Sequence, residues 1–309
     1  MPVDNNTVSS AVSNIVSSAD NRPDSRPDGQ LDSHPDNGPG NRPNNRLASD
    51  SFSFPHALGV IDGAGRTTFS YGNTREIYPY MSVTKLLVAW ATLIAVERGL
   101  ADFDDPAGPP GSTVVHLLAH ASGLPEEEGP VRAGMEEKRI YSNYGFEVLG
   151  DYLEKRTGIS IQNWVRRAVI EPLRLSSVAV EASPAYSAVG NLRDLARFAG
   201  ELLRPRLISP ELARYATTVH FDGLPGLLPG YGWQRNNTWG LGMEIRGQKD
   251  PHWTGPSFSP RTFGHFGQSG SFLWVDPELG KAGVFLGAQA FGREHRKFWP
   301  ALTEEMRGL

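Results

Sequence analysis

The chain contains no cysteine, which excludes disulfide cross-links, thiolate nucleophiles and cysteine-ligated metal centres but does not choose a compartment. It also lacks a long hydrophobic run. The longest, Leu86 to Val96, is well short of the ~20 residues that a membrane-spanning helix needs. Neither sign of charge dominates. Thirty Lys and Arg stand against 34 Asp and Glu, a net charge of -4, so nothing draws the chain to nucleic acid or an anionic membrane surface. There is no Gly-x-Ser-x-Gly elbow, no phosphate-cradling Gly-x-x-x-x-Gly-Lys loop and no dinucleotide fingerprint, so no cofactor is expected. No basic region followed by an apolar stretch opens the chain, so no secretory leader is visible and the cytoplasm is the expected compartment. Oligomeric state is left open.

Residues 1–50 are poor in large apolar side chains. They carry a quasi-repeat of Pro flanked by Asp, Asn and Arg, as in Asn21-Arg22-Pro23-Asp24, His34-Pro35-Asp36 and Asn41-Arg42-Pro43-Asn44. Such a segment cannot bury enough surface to offset its ordering entropy, so a disordered tail is predicted, with residues 51–309 forming the folded domain.

What is present begins with Ser82 and Lys85 in Met81-Ser82-Val83-Thr84-Lys85, which open the apolar stretch. Residues three apart share one helix face, so the hydroxyl and the amine stand side by side. A helix start also aims free N–H groups at whatever lies there. The stretch is apolar on nearly every side, so the helix is predicted to be buried, and burial lowers a lysine pKa toward a useful range. A neutral lysine can accept the serine proton, and the N–H groups can hold an oxyanion. The competing reading is an N-cap serine followed by a solvated first-turn lysine.

A second element, Tyr141-Ser142-Asn143, leads into a helical pattern of Phe146, Leu149, Tyr152 and Leu153. Its phenol and amide can enter one cleft, the phenol as a base if nearby cations depress its pKa, the amide bridging Lys85 and a substrate carbonyl. Alternatively the tyrosine packs at a helix start with Asn143 as its cap. A third element, Gly264-His265-Phe266-Gly267-Gln268, precedes Phe272-Leu273-Trp274-Val275 and Ala282-Gly283-Val284-Phe285-Leu286, which read as a β-hairpin. Glycines before it suit a strand edge that a ligand approaches closely.

Ser82-Val83-Thr84-Lys85, Tyr141-Ser142-Asn143 and His265-Phe266-Gly267 together resemble the three ordered motifs of the serine β-lactamases and penicillin-binding proteins, in the branch of class C β-lactamases, D-amino-acid peptidases and related esterases. Thr113 to Pro125 is similar to that family's helix and turn between the first two motifs, and Trp239 to Met243 to its strand before the third. The resemblance runs from about residue 52 to the C-terminus. It implies an α/β (α+β) fold in which an antiparallel sheet covered by helices adjoins a mostly helical region. It also implies an acyl-enzyme mechanism with Ser82 as nucleophile, Lys85 as proton acceptor and Tyr141 as general base and acid. Asn143 would orient, Ser82 and Gln268 N–H groups would form the oxyanion hole, and His265 and Gly267 would contact substrate.

Two positions depart from the family. Phe266 replaces a small hydroxyl residue, and His265 stands where lysine is common. Both weaken an anchor for a substrate carboxylate, which favours a small ester, amide or peptide substrate over β-lactams or D,D-peptides. The link between the first two motifs is short, so an open cleft is expected. A β-lactamase or D,D-carboxypeptidase is the alternative, and a non-catalytic binding module that recruits a partner through the tail is a third reading. His116 and His120, four apart, have ligand-like spacing, yet no glutamate lies between them, and no metal is expected. Leu58–Asp62 and Thr67–Tyr71 are predicted to form a hairpin, Gly190–Leu203 a helix, and Arg293–Met306 a closing helix with Phe298, Leu302 and Met306 on one side.

Overall fold

A computed structural model describes residues 51–309, and the tail predicted over 1–50 lies outside the described residues. Strands β1 (His56–Ile61) and β2 (Thr67–Gly72) form the expected N-terminal hairpin. At its turn the Asp62 carboxylate accepts the Ala64 and Arg66 N–H groups. The main sheet is antiparallel, and β1 pairs with the last strand of the chain, so the two ends of the folded region close on each other. Strands β10 (Ser271–Asp276) and β11 (Lys281–Gly287) make the predicted central hairpin, flanked by β9 (Phe263–Gly267) and β8 (Glu244–Ile245).

Both faces of this sheet are covered, and the residue alternation shows it. Leu273, Val275, Ala282, Val284 and Leu286 enter one apolar cluster, whereas Phe272, Trp274 and Phe285 enter the other. A two-residue period with apolar side chains on both phases is what a doubly covered sheet requires. The second cluster is sealed by the closing helix, Arg293–Gly308, through Trp299, Leu302 and Met306. Trp299, not Phe298, is the fully buried aromatic there.

The first cluster is built around α1 (Thr84–Glu97), in which every residue from Thr84 to Ala95 is buried. Around it lie α2 (Val114–Leu118), α3 (Asn143–Thr157) and α4 (Ile161–Val165), with α5 (Leu192–Leu203) packed between α1 and the sheet. Two tryptophans tie the layer together by their indole N–H groups: Trp164 donates to the Ala91 carbonyl at 2.9 Å and Trp90 to Glu201 at 3.2 Å. The remaining elements are α6 (Pro210–Ala216), α7 (the closing helix), a small sheet of β3 (Tyr78–Pro79), β4 (Ala179–Val180) and β5 (Ala188–Gly190), and a hairpin of β6 (Gly226–Leu228) and β7 (Gly232–Gln234). No helix among the described residues is long and apolar enough to cross a membrane.

One expectation and two alternative readings change. The segment Trp239–Met243 is not a strand: Gly240 N–H donates back to the Met243 carbonyl, and Gly242 adopts φ +86. A Cβ on Gly242 would stand 2.2 Å from Ala89 Cβ, so the bend is what lets this segment lie on α1. Asn143 is not the cap of α3, because Ser142 Oγ accepts Gly145 N–H at 2.8 Å in that role. His116 and His120 do not share a helix face either. The helix ends at Leu118, and His120 takes a left-handed φ of +56 that turns it inward while His116 meets Glu136.

Candidate active site

Ser82 lies in a 3₁₀ turn, Met81–Val83, that runs directly into α1. Met81 before it has φ +46, a left-handed conformation costing a side-chain-bearing residue about 1 kcal/mol, held here by buried neighbours. The end of β9 presses against this turn. A Cβ on Gly267 would fall 2.4 Å from the Tyr80 carbonyl oxygen and 3.1 Å from Ser82 N, so only glycine lets the third motif approach the nucleophile turn. That contact sets the end of β9 against the Ser82 turn, and Gln268 lines the same cleft as Ser82.

Lys85, in the first turn of α1, is fully buried. Its Nζ lies 2.7 Å from Asn143 Oδ1, 2.9 Å from the Ala185 carbonyl oxygen and 3.4 Å from Ser82 Oγ. Burial pulls its pKa down to about 7, against the opposing pull of Glu127, Glu126 and Glu147. A neutral amine has two N–H groups and one lone pair. The two carbonyl-type oxygens take the N–H groups, which leaves the lone pair for the Ser82 hydroxyl.

Tyr141 precedes α3 and donates its phenolic O–H to Ser82 Oγ at 2.7 Å. Its ring covers Lys85, with Nζ 4.8 Å from the centroid, and burial pushes the phenol pKa well up. The direction is opposite to that needed for a phenolate, so the proton stays on Tyr141. Beneath it lies His120, ring centroids 4.9 Å apart, whose Nδ1 accepts Ser142 N–H at 3.1 Å.

His265 on β9 is buried, and its Nδ1–H donates to the Phe266 carbonyl at 2.7 Å. Burial holds its pKa down at about 3, so the ring is neutral. Phe266 occupies the place of a hydroxyl residue because it belongs to an aromatic cluster with Tyr231, Trp253, Phe291 and Trp299.

The structure thus links Asn143, Lys85, Ser82 and Tyr141 in one chain of contacts, places His265 and Gln268 along the same cleft, and sets Gly267 behind it against the Ser82 turn. Its walls also include Glu126, Trp239 and Glu244, which sequence reasoning missed. The expected openness is not found. The loop after Pro125 folds over the site, the Glu126 carbonyl accepting the N–H groups of Asn143 and Tyr144, and the cavity volume is about 50 Å³. Other residues missed are the Ala185 carbonyl, which sends no side-chain signal, and Glu127, which accepts Asn143 Nδ2–H at 2.7 Å. Glu127 was visible only as one of three consecutive glutamates, a pattern that normally marks a solvated loop.

Comparison with known proteins identifies the fold and the family. A β-lactamase from Mycobacterium bovis superposes with a TM-score of 0.83 at 46% identity, covering 84% of this chain and 97% of that one. A simvastatin synthase from Aspergillus terreus, at 16% identity and a TM-score of 0.67 over 85% of this chain and 93% of that one, shares the fold. A D-alanyl-D-alanine-carboxypeptidase/endopeptidase of Escherichia coli (strain K12) is 25% identical over 175 residues, 41% of this chain and 46% of that protein. Penicillin-binding protein 4* of Bacillus subtilis (strain 168) is 24% identical over 140 residues, 35% of this chain and 31% of that protein. The chain spans less than half the length of these curated relatives. The helix-covered antiparallel sheet is therefore of the β-lactamase/transpeptidase type. With a family model described as Beta-lactamase matching residues 56–304, the chain belongs to the Beta-lactamase family of serine hydrolases.

Proposed function

We propose that the protein hydrolyses a small ester, amide or peptide through an acyl-enzyme on Ser82, with Lys85 and Tyr141 moving the proton. The contacts of Lys85 carry this reading: Nζ donates to Asn143 and Ala185 and stands 3.4 Å from Ser82 Oγ, so the neutral amine, with those two N–H groups engaged, keeps its lone pair for the hydroxyl. Ser82 Oγ attacks the carbonyl carbon as its proton passes to Lys85 Nζ. The oxyanion is held by the Ser82 and Gln268 N–H groups. Tyr141 gives its proton to the leaving group as the C–N or C–O bond breaks and recovers one from the Lys85 ammonium. In deacylation water attacks, its proton returns through the same groups, and Ser82 leaves as the hydroxyl.

The charge of the cleft supports a substrate without a carboxylate. Among the described residues, the proton-accepting Lys85 is the one Lys or Arg placed against the cleft, and Glu126 lines it, so no second cation is offered to a carboxylate. The relatives named for β-lactam and D-alanyl-D-alanine chemistry favour a second reading, a β-lactamase or D,D-carboxypeptidase. Intact-protein and peptide mass spectrometry after exposure to a fluorophosphonate, a short chromogenic ester and a penicillin decides between them. The expected result is a fluorophosphonate adduct on the Ser82 peptide, ester turnover, and acylation by the penicillin about 10²-fold slower than by the ester. An adduct elsewhere, or none, removes the assignment, and fast penicillin acylation selects the second reading.

The pH profile has a stated sign. Lys85 must be neutral to act, so kcat/KM for a neutral ester is expected to rise with pH through an apparent pKa of about 7. A profile flat from pH 5 to 9, ~2 units either side of that value, would mean that no such amine titrates in the mechanism.

A further inference from the structure

Asn143 is held from both ends. Its Oδ1 accepts from Lys85 at 2.7 Å, and its Nδ2 donates to Glu127 Oε1 at 2.7 Å. A side-chain amide has an acceptor end and a donor end, and rotating it by half a turn exchanges them. With the carboxylate at one end and the amine at the other, the rotated amide would set N–H against N–H and oxygen against oxygen. The carboxylate therefore decides which way the amide faces. Ser142, the residue before Asn143, is already fixed as the cap of α3, so the Asn143 backbone is set and amide rotation is the freedom that remains.

We propose that Glu127 is a positioning residue for proton transfer: through Asn143 it aims an amide oxygen at Lys85, and it sets a negative charge two hydrogen bonds from the amine. The inference rests on the reading of Lys85 as proton acceptor and adds a residue outside the three sequence motifs. Its consequence is electrostatic as well as geometric. A carboxylate at this distance favours the ammonium form, so Glu127 raises the pH at which Lys85 becomes competent. Among the opposing charges it has the largest effect, ahead of Glu126 from the same loop and Glu147 from α3. The other titratable groups facing Lys85 are Tyr141 before α3, His120 after α2 and His265 on β9, all held neutral by burial. None of these three supplies the negative charge. Because Glu127 is exposed to solvent, salt screens its effect.

The test compares pH profiles of kcat and kcat/KM on a short neutral ester for wild type, Glu127→Gln and Glu127→Ala, at low and high salt. Glu127→Gln keeps an oxygen to accept from Asn143 but drops the charge. Its acid limb is expected about 0.5–1 pH unit below that of wild type at low salt, with the gap closing at high salt. Glu127→Ala loses the acceptor as well. It should show the same displacement plus a plateau kcat about tenfold lower, which the glutamine variant restores. Superimposed acid limbs for wild type and Glu127→Gln overturn the electrostatic half. Equal plateaus for Glu127→Ala and Glu127→Gln overturn the orienting half. A wild-type profile with no acid limb near pH 7, or no adduct on Ser82, would instead strike the reading of Lys85 and Ser82 on which the inference is built.

Discussion

Ser82→Ala and Lys85→Met are each expected to lower kcat/KM for a short ester by about 10⁴-fold, and the double variant by little more than either one. The expectation follows from one proton shared between two groups. Ser82 without an acceptor is an ordinary alcohol, and Lys85 without the serine has nothing to activate. Effects that add in free energy would show two independent roles and break the proposed pair. The methionine variant also isolates chemistry from packing, since its side chain fills the channel that the lysine stem occupies in α1. It does leave Asn143 Oδ1 and the Ala185 carbonyl without a donor, at a cost of about 1–3 kcal/mol each. Urea denaturation run alongside the kinetics separates the two losses. A Lys85→Met enzyme that stays folded and within tenfold of wild type would mean another group takes the serine proton.

The parts of this site that were legible in the sequence are those whose chemistry resides in a side chain with a local pattern around it. Ser82 and Lys85 announced themselves by helical spacing at the head of an apolar run, and the structure buries that run entirely. The strands β10 and β11 were legible because two short apolar runs flank the turn residues Pro277-Glu278-Leu279-Gly280. What could not be read depends on folding of distant segments. The Ala185 carbonyl reaches Lys85 across 100 residues of chain and is identical to any other carbonyl in sequence. Glu127 looks solvated, and it is, yet it reaches Asn143 because the loop after Pro125 is drawn over the cleft. The bend at Trp239–Met243 was expected as a strand from the family resemblance, and nothing in its own residues shows that Gly242 serves contact with α1. Phe266 read as a functional departure, and its aromatic neighbours show that it is equally a core residue.

The second large effect lies behind the third motif. Lys249→Met is expected to cost about 3–5 kcal/mol of folding stability, because it removes one partner from a buried charge cluster. Glu244, on β8 and pairing with β9 opposite Gly264, accepts Lys249 Nζ at 2.6 Å, His252 Nε2–H at 2.9 Å and Trp253 Nε1–H at 2.6 Å. His252 is the Nε2–H tautomer, since its Nδ1 accepts Thr254 N–H at 3.0 Å, and burial lowers its pKa. With the imidazole neutral, Lys249 is the charge that balances the carboxylate, and its own pKa falls to about 8 through burial. Taking away the ammonium leaves Glu244 buried with neutral donors only. Glu244→Gln should do comparable harm by stranding Lys249, whereas Lys249→Met combined with Glu244→Gln should recover a good part of the loss, because it leaves no lone charge inside. The urea midpoint reads all three. Because β8 supports β9, the single variants are also expected to raise KM more than they lower kcat, as His265 and Gly267 lose a firm backing while Ser82 and Lys85 on α1 do not. A Lys249→Met protein within about 1 kcal/mol of wild type would show that the cluster is not what holds the third motif in place.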